Sequence, residues 1–296
     1  MSKSSSPRLT NDSVSIYKWK LLFPLILILF VILVFPLGYS LWLAFHDFSI
    51  IDPDSNRFVG IAQFQKVLTN PMYWTVMKNT FLFVLIAVSV EVILGVLIAL
   101  ALSKQRILKN FTRAIILAPM FVTPIAVGLM FRFILNNQLG FIPAFLAKFN
   151  ISIDFFGSNY TLLTLALIDV WQWTPFIILM ILAGLESLPQ DPFEAAYVEG
   201  ANKLTVFLKI TLPLLKPVLL VAILIRSLDA LKVFEYVYAI TKGGPGTSTE
   251  TLQFYIHKLG FGYYRLSEAA AVSWTVVVII MIGLIIMLKS SKKESS

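Results

Sequence analysis

The chain has 296 residues, of which 58% are hydrophobic and only 14% charged, with a mean hydropathy of +0.83 and a formal net charge of +8. A soluble domain of this length has no use for so much apolar surface, whereas a helical bundle in lipid does. The lack of cysteine excludes disulfides, thiolate metal centres and cysteine nucleophiles, and two histidines, His46 and His257, leave little for a histidine-based metal site.

Six stretches are long enough to cross about 30 Å of hydrocarbon as helices. They fall near Leu21–Phe45, Met77–Leu102, Phe111–Leu135, Leu162–Leu185, Leu215–Ile240 and Ala269–Leu288. The fold class is therefore all-α, a polytopic membrane protein. The stretches divide the chain into an N-terminal tail (1–20), a first helix with its outer loop (21–76), a core transmembrane domain (77–288) and a C-terminal tail (289–296).

Residues 1–16 are Ser-rich and polar, with no apolar period, and read as a mobile tail. The first apolar run is about twice the length of a signal-peptide core, and no small-residue cleavage site follows it. Tyr17 and Trp19 suit one interfacial belt, and Trp42, Tyr73 and Trp74 the other. In the loop 46–76, Asp52-Pro53-Asp54 and Asn70-Pro71 are turn formers, and Phe58–Leu68 has the apolar spacing of a helix lying along the membrane surface. Ser103–Asn110 is short and basic, so the flanking helices form a tight antiparallel pair. Pro119 and Pro124 remove backbone donors and bend the third helix. Asn136–Tyr160 reads as a polar loop. Lys242-Gly243-Gly244-Pro245-Gly246-Thr247-Ser248-Thr249 is turn-rich, and without a Gly-Lys-Ser/Thr ending it is not a phosphate loop.

With the N-terminus inside, 14 Lys and Arg fall on inner segments, 7 on outer loops and 3 within helices. That bias places both termini in the cytoplasm and accounts for the net charge without a nucleic-acid partner.

The inner loop 186–214 carries more local design than a connector needs. Asp191 is expected to cap a helix over 192–199, with Pro192 at its first position and Glu194 at its third. Gly200 is placed to stop it in left-handed geometry. Asn202 or its neighbour starts a second amphipathic piece, Lys203–Ile210, after which Pro213 and Pro217 break the chain. Such a helix can rest on headgroups or dock into a protein. Glu194 and Glu199 disfavour anionic lipid, and Ala195 and Ala196 offer a low surface that fits a cleft.

The pattern Glu194-Ala195-Ala196, Gly200, Ile210-x-Leu212-Pro213 resembles the EAA motif of ABC importer permeases at every defining position. Phe58-Val59-Gly60, Asn79-Thr80, Arg113 with Pro119, Gly184-Leu185 with Leu188-Pro189, and Thr241 with Gly243-Gly244-Pro245 are similar to recurring positions of the binding-protein-dependent, maltose-permease-like branch. The resemblance covers roughly residues 21–288. It implies a type I ABC importer permease fold in the bacterial inner membrane, with Glu194, Ala195, Ala196, Gly200, Ile210, Leu212 and Pro213 coupling the chain to a separate ATPase. It also implies the partners: a pair of ATPase subunits holding ATP and Mg, a second homologous permease subunit, and a periplasmic or lipid-anchored solute-binding protein. No cofactor is expected on this chain.

Charges at membrane depth cost several kcal/mol unless paired or hydrated, so they mark candidate pathways. Arg226, Asp229, Lys232 and Glu235 recur every three residues with alternating sign, which suits either an intrahelical ladder or the wall of a wet route. Asp169, Gln172 and Trp173 offer groups that bind sugar hydroxyls and ring faces, and at most one of Trp171 and Trp173 can face a central cavity. Glu91 and Arg132 are lesser candidates, Glu91 being able simply to hydrogen-bond across helices. The leading reading is the membrane permease of an ATP-driven importer for a carbohydrate or polyol. An ion-coupled secondary transporter accounts for the charged and proline-broken helices but not for the capped loop. An intramembrane enzyme using Asp169 and Asp229 lacks any accompanying nucleophile or metal cluster.

Overall fold

The computed structural model describes residues 11–49, 56–105 and 109–294. The turn expected at Asp52-Pro53-Asp54 and the basic residue Arg106 lie outside them. In chain order, α1 runs from Asn11 to Ala44 through a π turn at Phe30–Val34. A two-residue antiparallel pair follows, His46–Asp47 with Arg57–Phe58. Next come α2 (Ala62–Thr69), α3 (Pro71–Ser103), α4 (Lys109–Leu117), α5 (Pro124–Ile134), α6 (Phe141–Ala147) and α7 (Thr161–Glu186). The chain ends with α8 (Asp191–Val198), α9 (Lys203–Ala230), α10 (Leu252–His257) and α11 (Leu266–Glu294).

The chain forms two compact units, residues 1–70 with 256–296, and residues 71–255. In the first, the most apolar stretch of the span Trp19–Ala44 buries none of its side chains, as a helix facing lipid does, and burial begins only at Leu43 and Ala44. Helix α1 starts at Asn11, so part of the stretch read as a polar tail is helical. Trp274 on α11 donates to Ser40 on α1 at 3.1 Å. The helix expected at Phe58–Leu68 is α2, and it does not lie free. It buries Gln63 and Val67, and Lys66 pairs with Glu268 of α11 at 3.2 Å. Helix α11 extends through residues 289–294, which the sequence suggested were a tail.

The second unit is built on α3, α7 and α9. Helix α7 is its centre, burying 67% of its apolar window against 28% for α3 and 17% for α9. One apolar cluster joins Phe83, Ala87 and Val88 to Leu165, Ile168 and Tyr236, and another joins Val96 and Ala99 to Ile177, Ile181 and Leu215. Gly95 lets α3 approach α7, since a Cβ there would lie 2.4 Å from Ile177 Cγ2.

The third span is bent by 93° between Phe111–Phe121 and Pro124–Ile134. The two prolines act as expected. Ala118–Phe121 tightens into a 3₁₀ turn around Pro119, Val122 and Thr123 are extended, and Pro124 opens α5. Counting that bent pair as one crossing gives six candidate spans among the described residues. The loop read as merely polar at Asn136–Tyr160 contains α6, whose Phe141 and Phe145 rings stack at 6.2 Å.

The fifth span differs most from expectation. It runs from Lys203 to Ala230 rather than from Leu215 to Ile240, and the prolines do not break it. A π turn at Phe207–Thr211, closed by Leu212 donating to Phe207, widens the backbone just before Pro213, which then sits in the first turn of the α-helical segment. Helix α9 ends at Ala230, so Lys232 and Glu235 lie beyond it. The four-residue charge ladder along one helix does not form.

Candidate functional site

The polar residues of α3, α7 and α9 converge on Arg226, which is 1% exposed. Its Nε donates to Glu91 Oε2 at 2.7 Å and its Nη2 to Glu91 Oε1 at 2.9 Å, a bidentate fork across α9 and α3. The same Nη2 donates to Asp169 Oδ2 on α7 at 2.6 Å, and Nη1 to Asp229 Oδ2 one turn along α9 at 2.7 Å. The Trp173 ring lies over the guanidinium, 5.1 Å from ring centre to Cζ. Arginine suits this place because its planar donors are fixed and its charge is permanent. Stranding either partner inside a bundle is costly, so the cluster ties three helices together. Glu91, only a lesser candidate by sequence, is fully buried and is the cluster's main anchor. Its isolation in a long apolar run was the available signal.

Beside the cluster opens a cavity of about 260 Å³, lined by Asp169, Trp173, Asp229, Lys232 and Glu235, with Pro124 and Tyr236 among the remaining walls. Four of the six expected pathway residues, Asp169, Trp173, Asp229 and Lys232, therefore share one cavity. Trp171 points elsewhere, meeting Phe131 edge-on at 5.3 Å, so one indole of the two reaches the cavity. The other two expected residues, Arg226 and Gln172, do not line it. Gln172 is fully buried; its Nε2 donates to the carbonyl of Val122 at 2.6 Å and its Oε1 accepts from the Tyr236 hydroxyl. The break in the third span frees that carbonyl, and the glutamine satisfies it. Arg132 is likewise occupied, donating to the carbonyl of Ala239 at 3.0 Å.

Asn79 and Thr80 on α3 pin the turn-rich segment 241–252. Asn79 Nδ2 donates to the carbonyls of Thr247 at 2.9 Å and Glu250 at 3.2 Å, and Thr80 Oγ1 accepts from the Leu252 amide at 2.8 Å.

At the other end of these helices stands the inner loop. Helix α8 starts at Asp191, whose side chain does not cap it. The capping position is Gln190, whose side chain makes no capping hydrogen bond to the first turn. Asp191 and Glu194 instead place negative charge in the first turn, where the helix dipole favours it, and Pro192 begins the helix as expected. Gly200 has φ +71°. The Ala201 amide donates to Ala196 O at 2.9 Å and the Gly200 amide to Tyr197 O at 3.1 Å, the paired bonds of a Schellman stop. Asn202 then caps α9, accepting from the Thr205 amide at 2.8 Å. Glu194, Ala195, Tyr197, Val198 and Glu199 are exposed, Tyr197 and Val198 by 86% and 85%. Ala196 is buried, so the outer surface carries one of the two alanines rather than both. Ile210, Leu212 and Pro213 lie on α9, at or just after its π turn, and not on α8.

Residues 91–291 match the family described as binding-protein-dependent transport system inner membrane component. The chain is 34% identical over 274 residues to the trehalose/maltose transport system permease protein MalF of Thermococcus litoralis, covering 91% of each. It is 32% identical over 255 residues to the sulfoquinovosyl glycerol transport system permease protein SmoG of Agrobacterium fabrum, covering 86% of this chain and 83% of that one. The fold matches a crystal structure of a bacterial ABC transporter that imports the acidic polysaccharide alginate, with TM-score 0.81, 20% identity and coverage of 94% and 97%. Nothing in this membership supports the ion-coupled carrier or the intramembrane enzyme. The chain belongs to the binding-protein-dependent transport system inner membrane components and is a multi-pass membrane permease subunit of an ABC importer, not an enzyme.

Proposed function

We propose that the chain forms one half of a carbohydrate or polyol pathway, driven through α8 by a separate pair of ATPase subunits that hold ATP and Mg. The observation that carries this reading is α8 itself. It is a short helix with a fixed stop and start, presenting Glu194, Ala195, Tyr197 and Val198 outward at the foot of the helix that bears Arg226. Two large apolar side chains exposed beside acidic ones suit a protein groove better than an anionic lipid surface. The lysine and arginine bias supports a cytoplasmic position for this loop and both termini. A second, homologous permease subunit completes the pathway, and a solute-binding protein delivers cargo to the outer loops. The trehalose/maltose name of a relative supports a sugar, as does a cavity that combines carboxylates with an indole face.

The test uses a single cysteine in this cysteine-free chain. Ala195→Cys in the assembled transporter is expected to crosslink to the ATPase subunit, and Glu194→Lys to abolish uptake while the protein still inserts. Adducts with phospholipid alone, together with normal uptake by the Glu194 variant, overturn the docking role.

A further inference from the structure

The inference concerns the charge of the cargo and rests on the reading that the 260 Å³ cavity lies on the solute route. Relatives are named for trehalose/maltose and for sulfoquinovosyl glycerol, so membership leaves that charge open. Residue type alone lets Arg226 and Lys232 either welcome an anionic sugar or be neutralised by Asp229 and Glu235.

Arg226 is not available to any solute. Four of its five donors go to Glu91, Asp169 and Asp229, Trp173 covers its face, and at 1% exposure it does not reach the cavity. One guanidinium thus faces three carboxylates. Of the cavity-lining side chains, Asp169, Asp229 and Glu235 are acidic and Lys232 alone is basic. Taking cluster and wall together, Glu91, Asp169, Asp229 and Glu235 oppose Arg226 and Lys232. By formal charge, four carboxylates face two cations. Apolar layers flank the cluster, with Val88 and Val96 on either side of Glu91 and Ala222 and Ala230 on either side of Arg226, and low-dielectric walls focus such a field.

We propose that this cavity is a charge filter. It admits uncharged or amino-bearing polyhydroxylated solutes and rejects carboxylated, sulfonated or phosphorylated ones, with Asp229 and Glu235 as the residues that set the discrimination. Their carboxylates accept hydroxyl hydrogens from a neutral sugar, and the Trp173 ring offers a packing face. An acid sugar meets the same carboxylates as like charge with no free arginine to answer it.

The measurement needs no knowledge of the cargo. Val233→Cys places a single thiol of this chain at the cavity wall, and Ala230→Cys provides a second position should that variant fold poorly. In the assembled transporter, cationic and anionic methanethiosulfonate reagents of similar size are compared by mass spectrometry of this chain, with rates normalised to free cysteine. The cationic reagent is expected to gain more than about tenfold over the anionic one, the effect of a focused negative field. Asp229→Asn with Glu235→Gln should bring that ratio back towards the free thiol. Rates are also compared between the nucleotide-free and vanadate-trapped transporter. A rate that changes with state but shows the free-thiol ratio overturns the filter while leaving the route in place. A thiol that reacts with neither reagent, or identically in both states, removes the route and the filter with it.

Discussion

Arg226 and Glu91 meet as a two-point fork with neither side chain open to solvent, joining α9 to α3 at the level where the apolar clusters part. Arg226→Met leaves Glu91 and Asp169 buried without their cation, an expected cost of about 3–5 kcal/mol. Arg226→Lys keeps the charge but not the fork, so its thermal unfolding in detergent should fall between wild type and Arg226→Met. Combining Glu91→Gln with Arg226→Met should cost less than the two changes summed, by about 0.5–3 kcal/mol. Strict additivity would show that the fork contributes nothing.

Gln172 is the second structural polar group at membrane depth. Gln172→Leu removes the donor from Val122 O and the acceptor from the Tyr236 hydroxyl, so a loss of about 1–3 kcal/mol is expected. Tyr236→Phe leaves only one glutamine oxygen short of a partner and should cost less. Equal unfolding temperatures for the two variants would remove the tether at the helix break.

Gly95 tests the close packing of α3 on α7. Gly95→Val drives a side chain into Ile177 and is expected to cost about 1–3 kcal/mol, with Ile177→Ala recovering part of it. If Ile177→Ala instead adds to the loss, the contact is not what limits the site.

Gly200 meets no atom of this chain at its Cβ position, so within the chain Gly200→Val acts through backbone strain, about 1–3 kcal/mol in the left-handed region. Uptake should fall sharply while the ATPase activity of the assembled complex becomes independent of solute. Asn202→Ala removes one cap bond, about 1 kcal/mol, and should weaken coupling less. Normal solute-stimulated ATPase in both variants would detach the turn from coupling.

Much of this arrangement was legible in the residues. Hydropathy located the crossings, the two prolines announced the bent third span, and Gly200 announced the stop of α8. Three features were hidden. Lys203 and Lys209 give the first turns of α9 an amphipathic look, so hydropathy starts that span too late, and the π turn that accommodates Pro213 has no composition signal. Charge periodicity over Arg226–Glu235 implied one helix, but the helix ends at Ala230 and tertiary packing sends Lys232 and Glu235 to a cavity wall. Arg226 and Gln172 were sought on the route because intramembrane polarity marks function. Asp229 apart, the partners on which these groups are spent lie from 50 to 135 residues away in sequence, and only folding brings them together.

Helix α9 begins two residues after the Gly200-Ala201 turn and carries Arg226 some 23 residues later, about 35 Å along its axis at helical rise. A tug on the foot of such a strut arrives at the guanidinium with little slack, because prolines and a wide turn alter its bore without severing it. Glu91 on α3 and Asp169 on α7 are the rivets at the far end. If α8 docks as proposed, motion imposed below must either carry α3 and α7 along or tear Glu91 and Asp169 from their cation, a choice between two discrete postures instead of a continuum.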